Sequence, residues 1–146
     1  MVTELILAIT SRKNFPTIKH LKSKFEYVDI DDGWHAFYFN QIDSEAFPIF
    51  YVCNEEKALL NVTDVLCKGD QFELSVDGDT FITSITNKND CNDPFCADPE
   101  LAFKTNGYSK VSKIIEPGFH ELKIRSIKSP FGSGVGFIQI AQLVQP

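Results

Sequence analysis

The stretches LLNVTDVLCKGDQF at residues 59–72 and SPFGSGVGFIQI at residues 129–140 decide the fold. Each joins a run of apolar, β-branched and aromatic residues to a turn rich in Gly, Asp or Pro, which is typical of short strands separated by tight loops. The glycine-rich part of the second stretch resembles a phosphate loop only superficially, because it lacks the GK[ST] ending and leads into a strand. Neither stretch contains a catalytic constellation.

The rest of the chain repeats this strand-and-turn pattern. The predicted strands are LILAI (5–9), KFEYVDI (24–30), WHAFYFNQI (34–42), FPIFYVC (47–53), ALLNVTDV (58–65), QFELSV (71–76), TFITSIT (80–86), KVSKII (110–115), FHELKIRSI (119–127) and GFIQIAQL (136–143). The pattern predicts an all-β, jelly-roll-like β-sandwich of about 8 to 10 strands. Asp77-Gly78 predicts a type I′ hairpin turn, and residues 99–106 predict one short connecting helix with Asp98 as N-cap.

The 146 residues predict a single domain, with residues 1–24 as an N-terminal arm or an extra strand. MVTELILAIT has no basic region, and its apolar core is shorter than a signal peptide needs, so we expect an intracellular chain or one whose leader has been removed. The longest apolar run, residues 46–53, is far shorter than the roughly 18 residues of a membrane span, so none is predicted.

The charge of the chain argues against a nucleic acid partner. Fourteen basic against twenty acidic side chains give a net charge of -6, whereas binding to phosphates needs a basic surface. The pI is about 5.0, so acid conditions bring the net charge close to zero and weaken repulsion between molecules. An acidic compartment is therefore expected to favour self-association.

Four cysteines, Cys53, Cys67, Cys91 and Cys96, leave several redox states open. They allow free thiols, a small-loop disulfide between Cys91 and Cys96, or bridges that involve Cys53 and Cys67, with three fully paired connectivities. CNDPFC has no second CxxC and no His pair beside it, so a zinc site is not predicted.

Two sets of acidic residues are candidate calcium ligands, and neither predicts a metal or a cofactor. The first is Asp29, Asp31 and Asp32, which lack the spacing of an EF-hand and are typical of a solvated turn. The second set lies at predicted turns, where Asp is also common for local reasons; it comprises Asp64, Asp70, Asp90, Asp93 and Asp98.

No catalytic group is predicted either. The contexts of His20, His35 and His120 supply no Ser, Cys or Thr as a nucleophile, so the sequence favours a protein that is not an enzyme. Trp34 with the aromatic residues at 37–39 could form a platform for sugar, but neighbouring residues on a strand face opposite sides, so at least half of them are expected in the core.

Three segments carry a resemblance to a known family: LNVTDVLCKGDQFELSVDG (60–78), CNDPFCADPELAF (91–103) and IIEPGFHELKIRSIKSPFGSGVGFIQI (114–140). Together they resemble an uncharacterised family of bacterial and fungal secreted proteins, whose pattern is TD-x-x-C-x-GD-x-F, a DPD-like loop, a PG-x-H turn and SPFG-x-G before the last strand. The resemblance covers residues 59–141, and residues 1–58 add little to it.

The acidic pI, the size and the four cysteines are most similar to fungal members of this family that pack into vacuolar crystals acting as gravity-sensing statoliths. The resemblance implies a β-sandwich whose partner is a second copy of itself, a vacuolar location and no active site. Disulfides between molecules are implied as a lock, with Cys53 and Cys67 as the first candidates, while Cys91 and Cys96 close their own loop.

An alternative function remains open from the same pattern. A jelly roll can also bind carbohydrate, with the loops near residues 90–99 and 129–136 holding a glycan, either alone or together with calcium. Self-assembly and glycan binding therefore stand as the two expectations.

Overall fold

The computed structural model describes residues 24–85, 89–91 and 96–143. These residues form two packed β-sheets and one short helix. The strands are β1 (Phe25–Tyr27), β2 (His35–Phe39), β3 (Ile49–Asn54), β4 (Ala58–Asp64), β5 (Gln71–Val76), β6 (Asp79–Ile82), β7 (Lys110–Ile115), β8 (Gly118–Lys128) and β9 (Gly134–Gln142), and the helix is α1 (Pro99–Lys104).

The order of the strands is that of a jelly roll. One sheet has the order β1-β3-β8-β5-β6, and the other has the order β2-β9-β4-β7. Strands β2 to β9 therefore supply the two four-stranded sheets of a double Greek key, and β1 is added at one edge, parallel to β3. The predicted jelly-roll-like β-sandwich is confirmed.

Alternation of apolar and polar residues explains how β8 is placed. Leu122 and Ile124 are buried against the opposite sheet, whereas Glu121, Lys123 and Arg125 lie on the outer face, as a period of two requires. β4 differs because almost all of its residues are buried. The helix α1 contacts β4, and Val65, Cys96, Ala102 and Tyr108 form a second small core beside it.

The main core lies between the two sheets. Its residues are buried apolar side chains contributed by strands of both sheets: Val28, Phe37, Phe39, Ala46, Phe50, Val52, Ala58, Leu60, Val62, Phe72, Leu74, Ile115, Leu122, Ile124, Ile138 and Ile140. Phe72 holds the ring cluster together, because Phe37 and Phe39 both meet it edge to face, with centroids 5.0 and 5.3 Å away.

The two local predictions from turn and cap residues are confirmed. Asp77 and Gly78 have φ values of 53° and 95°, as a type I′ turn requires at both central positions. In α1 the Asp98 side chain accepts a hydrogen bond of 3.0 Å from the Glu100 amide. The helix ends at Lys104, earlier than the predicted residue 106.

The predicted strand at 5–9 lies outside the described residues, and so does all but the last residue of the predicted arm or extra strand at residues 1–24. Among the described residues, no helix has the length and apolar character needed to cross a membrane.

Candidate functional site

An aromatic strip lies on the outer face of the five-stranded sheet. We define it as Phe25 and Tyr27 on β1, Tyr51 on β3 and Phe119 on β8. Phe25, Tyr27 and Phe119 are 50%, 73% and 59% exposed. Because residues along a strand alternate between the two faces, burial of Phe50 turns Tyr51 outward. The parallel pairing of β1 with β3 then sets Tyr27 beside Tyr51.

The rings of the aromatic strip contact one another, with Tyr51 at the centre. The Tyr51 centroid lies 5.6 Å from that of Phe25, 5.7 Å from that of Tyr27 and 5.4 Å from that of Phe119. The Tyr51 and Phe119 planes are inclined by only 14°, so each ring covers part of one face of the other. The four side chains therefore form one contiguous aromatic patch, in which Phe25, Tyr27 and Phe119 are at least half exposed.

Cys53 extends the aromatic strip. It lies two residues beyond Tyr51 on the same face of β3 and opposite Phe119 in the β3–β8 register. Its thiol is free, and the residue is exposed. The strip therefore places a solvent-accessible thiol directly beside aromatic side chains.

Charges next to the aromatic strip are largely compensated. Further along β8, Lys123 Nζ lies 3.9 Å from Glu121 Oε1, and Arg125 contacts Glu73 at 3.0 Å and Asp43 at 3.3 Å. Two basic and three acidic side chains thus share this part of the face, although the whole chain carries a net charge of -6. The ion pairs leave this part of the face with one more acidic than basic side chain.

The other cysteines are arranged differently from the prediction. Cys67 is bonded to Cys91 within the molecule, with a sequence separation of 24. The predicted Cys91–Cys96 loop therefore does not form, and Cys67 is not free to bond a neighbour. Cys96 is a buried free thiol in the second small core. Cys67 meets Cys91 because Lys68 pairs with Asp90, which brings residues 67 and 91 together across the fold.

Of the acidic residues considered as calcium ligands, only Asp64 and Asp70 come together within the described part of the chain. Asp98 caps α1, Asp90 lies in a bridge with Lys68, and Asp93 lies outside the described residues. Asp31 accepts the Gln142 amide, which makes it part of a turn. In residues 24–85, 89–91 and 96–143, no group of three or more His, Cys, Asp or Glu side chains is arranged to hold a metal ion.

The Asp64–Asp70 pair has strongly shifted protonation equilibria. Burial, followed by the charge of Asp70, raises the pKa of Asp64 to about 9, against hydrogen bonds from the Val65 and Asp70 amides. Burial also raises the pKa of Asp70 to about 6, opposed by hydrogen bonds with Ser129 and Asp64 and by the charge of Lys128. Two neighbouring buried carboxyls cannot both ionise at low cost, so the pair retains a proton near neutral pH.

The two described histidines contact acidic groups instead of nucleophiles. His120 Nδ1 lies 2.6 Å from Asp77 Oδ2, and its Nε2 lies 2.6 Å from the Glu116 carbonyl oxygen. Burial acts to lower the pKa of His120, but these two hydrogen bonds outweigh it and the pKa is raised. His35 contacts Glu26 at 2.5 Å and Asp32 at 3.3 Å. His20 lies outside the described residues.

The aromatic residues of the predicted sugar platform are dispersed. Phe37 and Phe39 are fully buried in the core, as expected for alternate positions. Trp34 instead contacts Phe103, with centroids 5.5 Å apart, and donates a hydrogen bond to Glu100. The loop at 129–133 lies beside the Asp64–Asp70 pair, where Ser129 hydrogen bonds with Asp70.

The aromatic strip was not predicted from the sequence. Its signal was present in three short patterns, FEY at 25–27, FYVC at 50–53 and GFH at 118–120, each with an aromatic residue on a strand. Periodicity alone does not reveal which alternate set faces solvent, because both sets are apolar at Phe50 and Tyr51.

Comparison with known proteins adds little to this description. No family model matches the chain, and no curated protein matches it. Among solved structures, the pre-peptidase C-terminal domain of a collagenase from Bacillus anthracis has a TM-score of 0.41 and 10% identity over 82% of this chain and 96% of that one. A ruminal GH26 endo-β-1,4-mannanase has a TM-score of 0.39 and 13% identity, in a match that covers 75% of this chain and 20% of the mannanase chain. Similarity this weak carries no argument about function.

Proposed function

We propose that the protein is a non-enzymatic, self-assembling protein that packs into dense vacuolar crystals. The fungal protein octin, which it resembles, packs in this way to form statoliths. The observation that carries the proposal is the exposed aromatic strip with the free thiol of Cys53 beside it. The partner is a second copy of the chain, and the function belongs to the assembled solid.

Burial of the aromatic strip against a second copy supplies the attraction. Removing apolar surface from water stabilises a contact by about 25 cal/mol per Å². A two-fold contact buries the same strip on both molecules and gives a dimer, which is the unit that further contacts join into the lattice. Compensated charges next to the strip keep the local repulsion low. At a pH near the pI of about 5.0, repulsion between whole molecules also becomes small.

A disulfide between the Cys53 residues of two copies would lock this contact. The thiolate of one Cys53 attacks a small disulfide such as oxidised glutathione, which releases one reduced glutathione and leaves a mixed disulfide. The Cys53 thiolate of the second copy then displaces the other glutathione. The two copies are thereby joined by one disulfide, and the two electrons reside in two molecules of reduced glutathione.

Sedimentation of the purified protein at pH 5 and pH 7.5, with oxidised glutathione or with reductant, tests the proposal. We expect large particles at pH 5 and dispersal at pH 7.5. A dimer band on a non-reducing gel should form slowly at pH 5 and faster at pH 7.5 with oxidised glutathione, because the thiolate is the attacking species, and reductant should remove it. Reductant also opens Cys67–Cys91, so Cys53→Ser is the cleaner probe: it should remove the dimer band. Monomers in every condition would refute self-assembly.

Phe119→Ser and Ile114→Ser separate the aromatic strip from general surface hydrophobicity. Phe119 is 59% exposed within the strip, and Ile114 is 49% exposed on β7 of the other sheet. Assembly should be lost in Phe119→Ser and retained in Ile114→Ser. Equal assembly of the two variants would show that the strip is not the contact surface.

Carbohydrate binding is the second candidate, and the exposed Tyr27 ring favours it, because aromatic rings stack on sugars. A flat platform is disfavoured by Tyr51 and Phe119, whose rings face each other at 14°. A glycan array with and without chelator tests this candidate. Strong binding that Tyr27→Ser abolishes, together with monomers at pH 5, would favour the glycan-binding function over assembly.

A further inference from the structure

His120 connects two turns at one end of the sandwich. It lies on β8, and its side chain is only 11% exposed. The ring contacts the Asp77 carboxylate in the β5–β6 turn (residues 77–78) and the main-chain oxygen of Glu116 in the β7–β8 turn (residues 116–117). The imidazole therefore joins turns that are far apart in the sequence.

Both nitrogens of the His120 ring face oxygen acceptors. Nδ1 lies 2.6 Å from Asp77 Oδ2, and Nε2 lies 2.6 Å from the Glu116 carbonyl oxygen. Neither a carbonyl nor an ionised carboxylate donates a hydrogen bond. A neutral imidazole has a single N–H and satisfies one of the two acceptors, whereas the imidazolium has two. The geometry therefore requires a doubly protonated ring.

Asp77 is held as a carboxylate that faces the ring. Its Oδ1 accepts the Glu121 amide at 2.8 Å, and its own amide donates to the Glu121 carbonyl at 3.0 Å. Burial acts to raise the pKa of Asp77, but the hydrogen bonds from the Glu121 amide and from His120 outweigh it, and the pKa is lowered. Asp77 therefore stays ionised, and Glu121 keeps it attached to β8 when the ring changes its charge.

The remaining groups in these contacts are neutral. On β3, Val52 is the apolar cross-strand partner of His120, and Asn54 Nδ2 donates to the same Glu116 carbonyl at 3.0 Å. Glu116 and Glu121 contribute main-chain atoms. Within the described part of the chain, the Asp77 carboxylate is thus the charged side chain that contacts the ring.

Loss of one proton breaks the weaker of the two contacts. A hydrogen bond to a carboxylate is stronger than one to a neutral carbonyl, so the remaining proton stays on Nδ1 beside Asp77. The Nε2 lone pair then faces the Glu116 oxygen across 2.6 Å, and the two acceptors repel each other. Burial acts to lower the pKa of His120, but the hydrogen bonds raise it above the ordinary 6.5. The Glu116 contact is therefore complete below pH 6.5 and is lost as the pH rises through the raised pKa.

We propose that His120 is a proton-dependent tie between the β5–β6 and β7–β8 turns, which is closed while both ring nitrogens are protonated and opens at the β7–β8 turn when Nε2 loses its proton. Phe119, the residue before His120, belongs to the aromatic strip, so the tie lies directly beside that surface. The tie is a property of the single molecule and stands or falls independently of the proposed assembly.

Ring ¹⁵N NMR of dilute Cys53→Ser protein between about pH 6 and pH 8.5 tests the tie. The ring signals report the protonation state and the tautomer of His120. We expect both nitrogens to be protonated at the lower pH and Nδ1 alone at the higher pH. The ¹³C signal of the Glu116 carbonyl should shift with the same midpoint, because that oxygen loses a hydrogen bond. A ring that is already neutral at the lower pH, a neutral ring with its proton on Nε2, or a Glu116 signal that does not follow the ring would overturn the tie.

Asp77→Asn should reverse the preference of the neutral ring. The Asn amide donates to Nδ1, so the proton stays on Nε2 and the Glu116 contact is kept. The ring should titrate at a lower pH than in the parent, and the Glu116 signal should no longer shift with it. Asn-Gly suits a type I′ turn, so we expect the variant to fold.

Asp79→Asn is the matched control, because it removes the same charge at an exposed position two residues away. It should behave like the parent. Equal titration and equal tautomers in the two variants would show that Asp77 does not hold the ring proton, and the tie would be overturned. If Asp77→Asn does not fold, the ring and carbonyl titrations of the parent decide the matter alone.

Discussion

Replacing Gly136 by Ala should destabilise the protein, because a methyl group has no room between β2 and β9. Gly136 pairs with Phe37 in the β2–β9 register. A Cβ at this position would lie 2.3 Å from Phe37 Cζ and 2.9 and 3.0 Å from the two Cε atoms. The backbone does not require glycine, since Gly136 is not among the residues with positive φ. Contact with the ring therefore accounts for a glycine at this position.

The Phe37 ring cannot move aside freely, which sets the size of the effect. It is fully buried and meets Phe72 edge to face at 5.0 Å. Overpacking of a filled core typically costs about 1–3 kcal/mol, and a contact at 2.3 Å belongs at the upper end, so we expect about 2–3 kcal/mol. For a domain of this size the melting temperature should fall by roughly 4–12 °C.

A double-mutant cycle with Phe37→Leu, followed by urea unfolding, provides the measurement. Phe37→Leu removes the three ring atoms that the new methyl would contact and should cost about 1–2 kcal/mol alone. The double variant should then be more stable than additivity predicts by at least about 1 kcal/mol. Additive costs, or a Gly136→Ala variant within about 0.5 kcal/mol of the parent, would refute the steric explanation.

Two further predictions concern pH and the hairpin turn. The pKa values of Asp64 (about 9) and Asp70 (about 6) exceed the ordinary 3.8, so the folded protein binds more protons than the unfolded chain. The stability that these two carboxyls contribute is complete below pH 3.8 and is lost as pH rises. The free energy of unfolding of Cys53→Ser protein, measured in urea, should therefore fall by roughly 3–5 kcal/mol from pH 5 to pH 7.5. Equal stability at the two pH values would contradict these pKa shifts. Gly78→Val should lower the free energy of unfolding by about 1 kcal/mol or more, because the φ of 95° at this position is strained for β-branched residues. Thermal melting checks this prediction, with Thr80→Val as the control. An unchanged melting temperature would mean that the turn accepts Val.

Local patterns were sufficient to predict most of the strands. β5 and β7 begin and end at the predicted residues, because turn residues flank each segment. The Asp77-Gly78 turn was predicted from two residues whose short or absent side chains tolerate positive φ. These features depend on residues that are neighbours in the sequence, so a single sequence was enough to predict them.

Two features that depend on distant parts of the chain were not predicted, although the overall sandwich was. Pairing of Cys67 with Cys91 follows from the meeting of Lys68 and Asp90, and nothing in the spacing of CNDPFC signals it. The aromatic strip needs three strands to be brought side by side, including the parallel pairing of β1 with β3.

The pairing of Asp64 with Asp70 was not predicted either, because it also depends on distant parts of the chain. Five predicted turn aspartates were equivalent by sequence, yet among those that the structure describes only Asp64 and Asp70 are brought together and buried. Ser129, which hydrogen bonds with Asp70, lies far along the chain from both carboxyls, so no local pattern signals the contact.

The Cys67–Cys91 disulfide also has a mechanical consequence. Force applied to the two ends of the chain would pass through the sulfur atoms and bypass residues 68–90, which include the β5–β6 hairpin. The segment between the cysteines adds 24 residue steps, or about 80 Å of extended chain at roughly 3.4 Å per residue. With the disulfide intact, the fully stretched chain is shorter by that length than the reduced chain. Reduction under load would release this length in a single extension step.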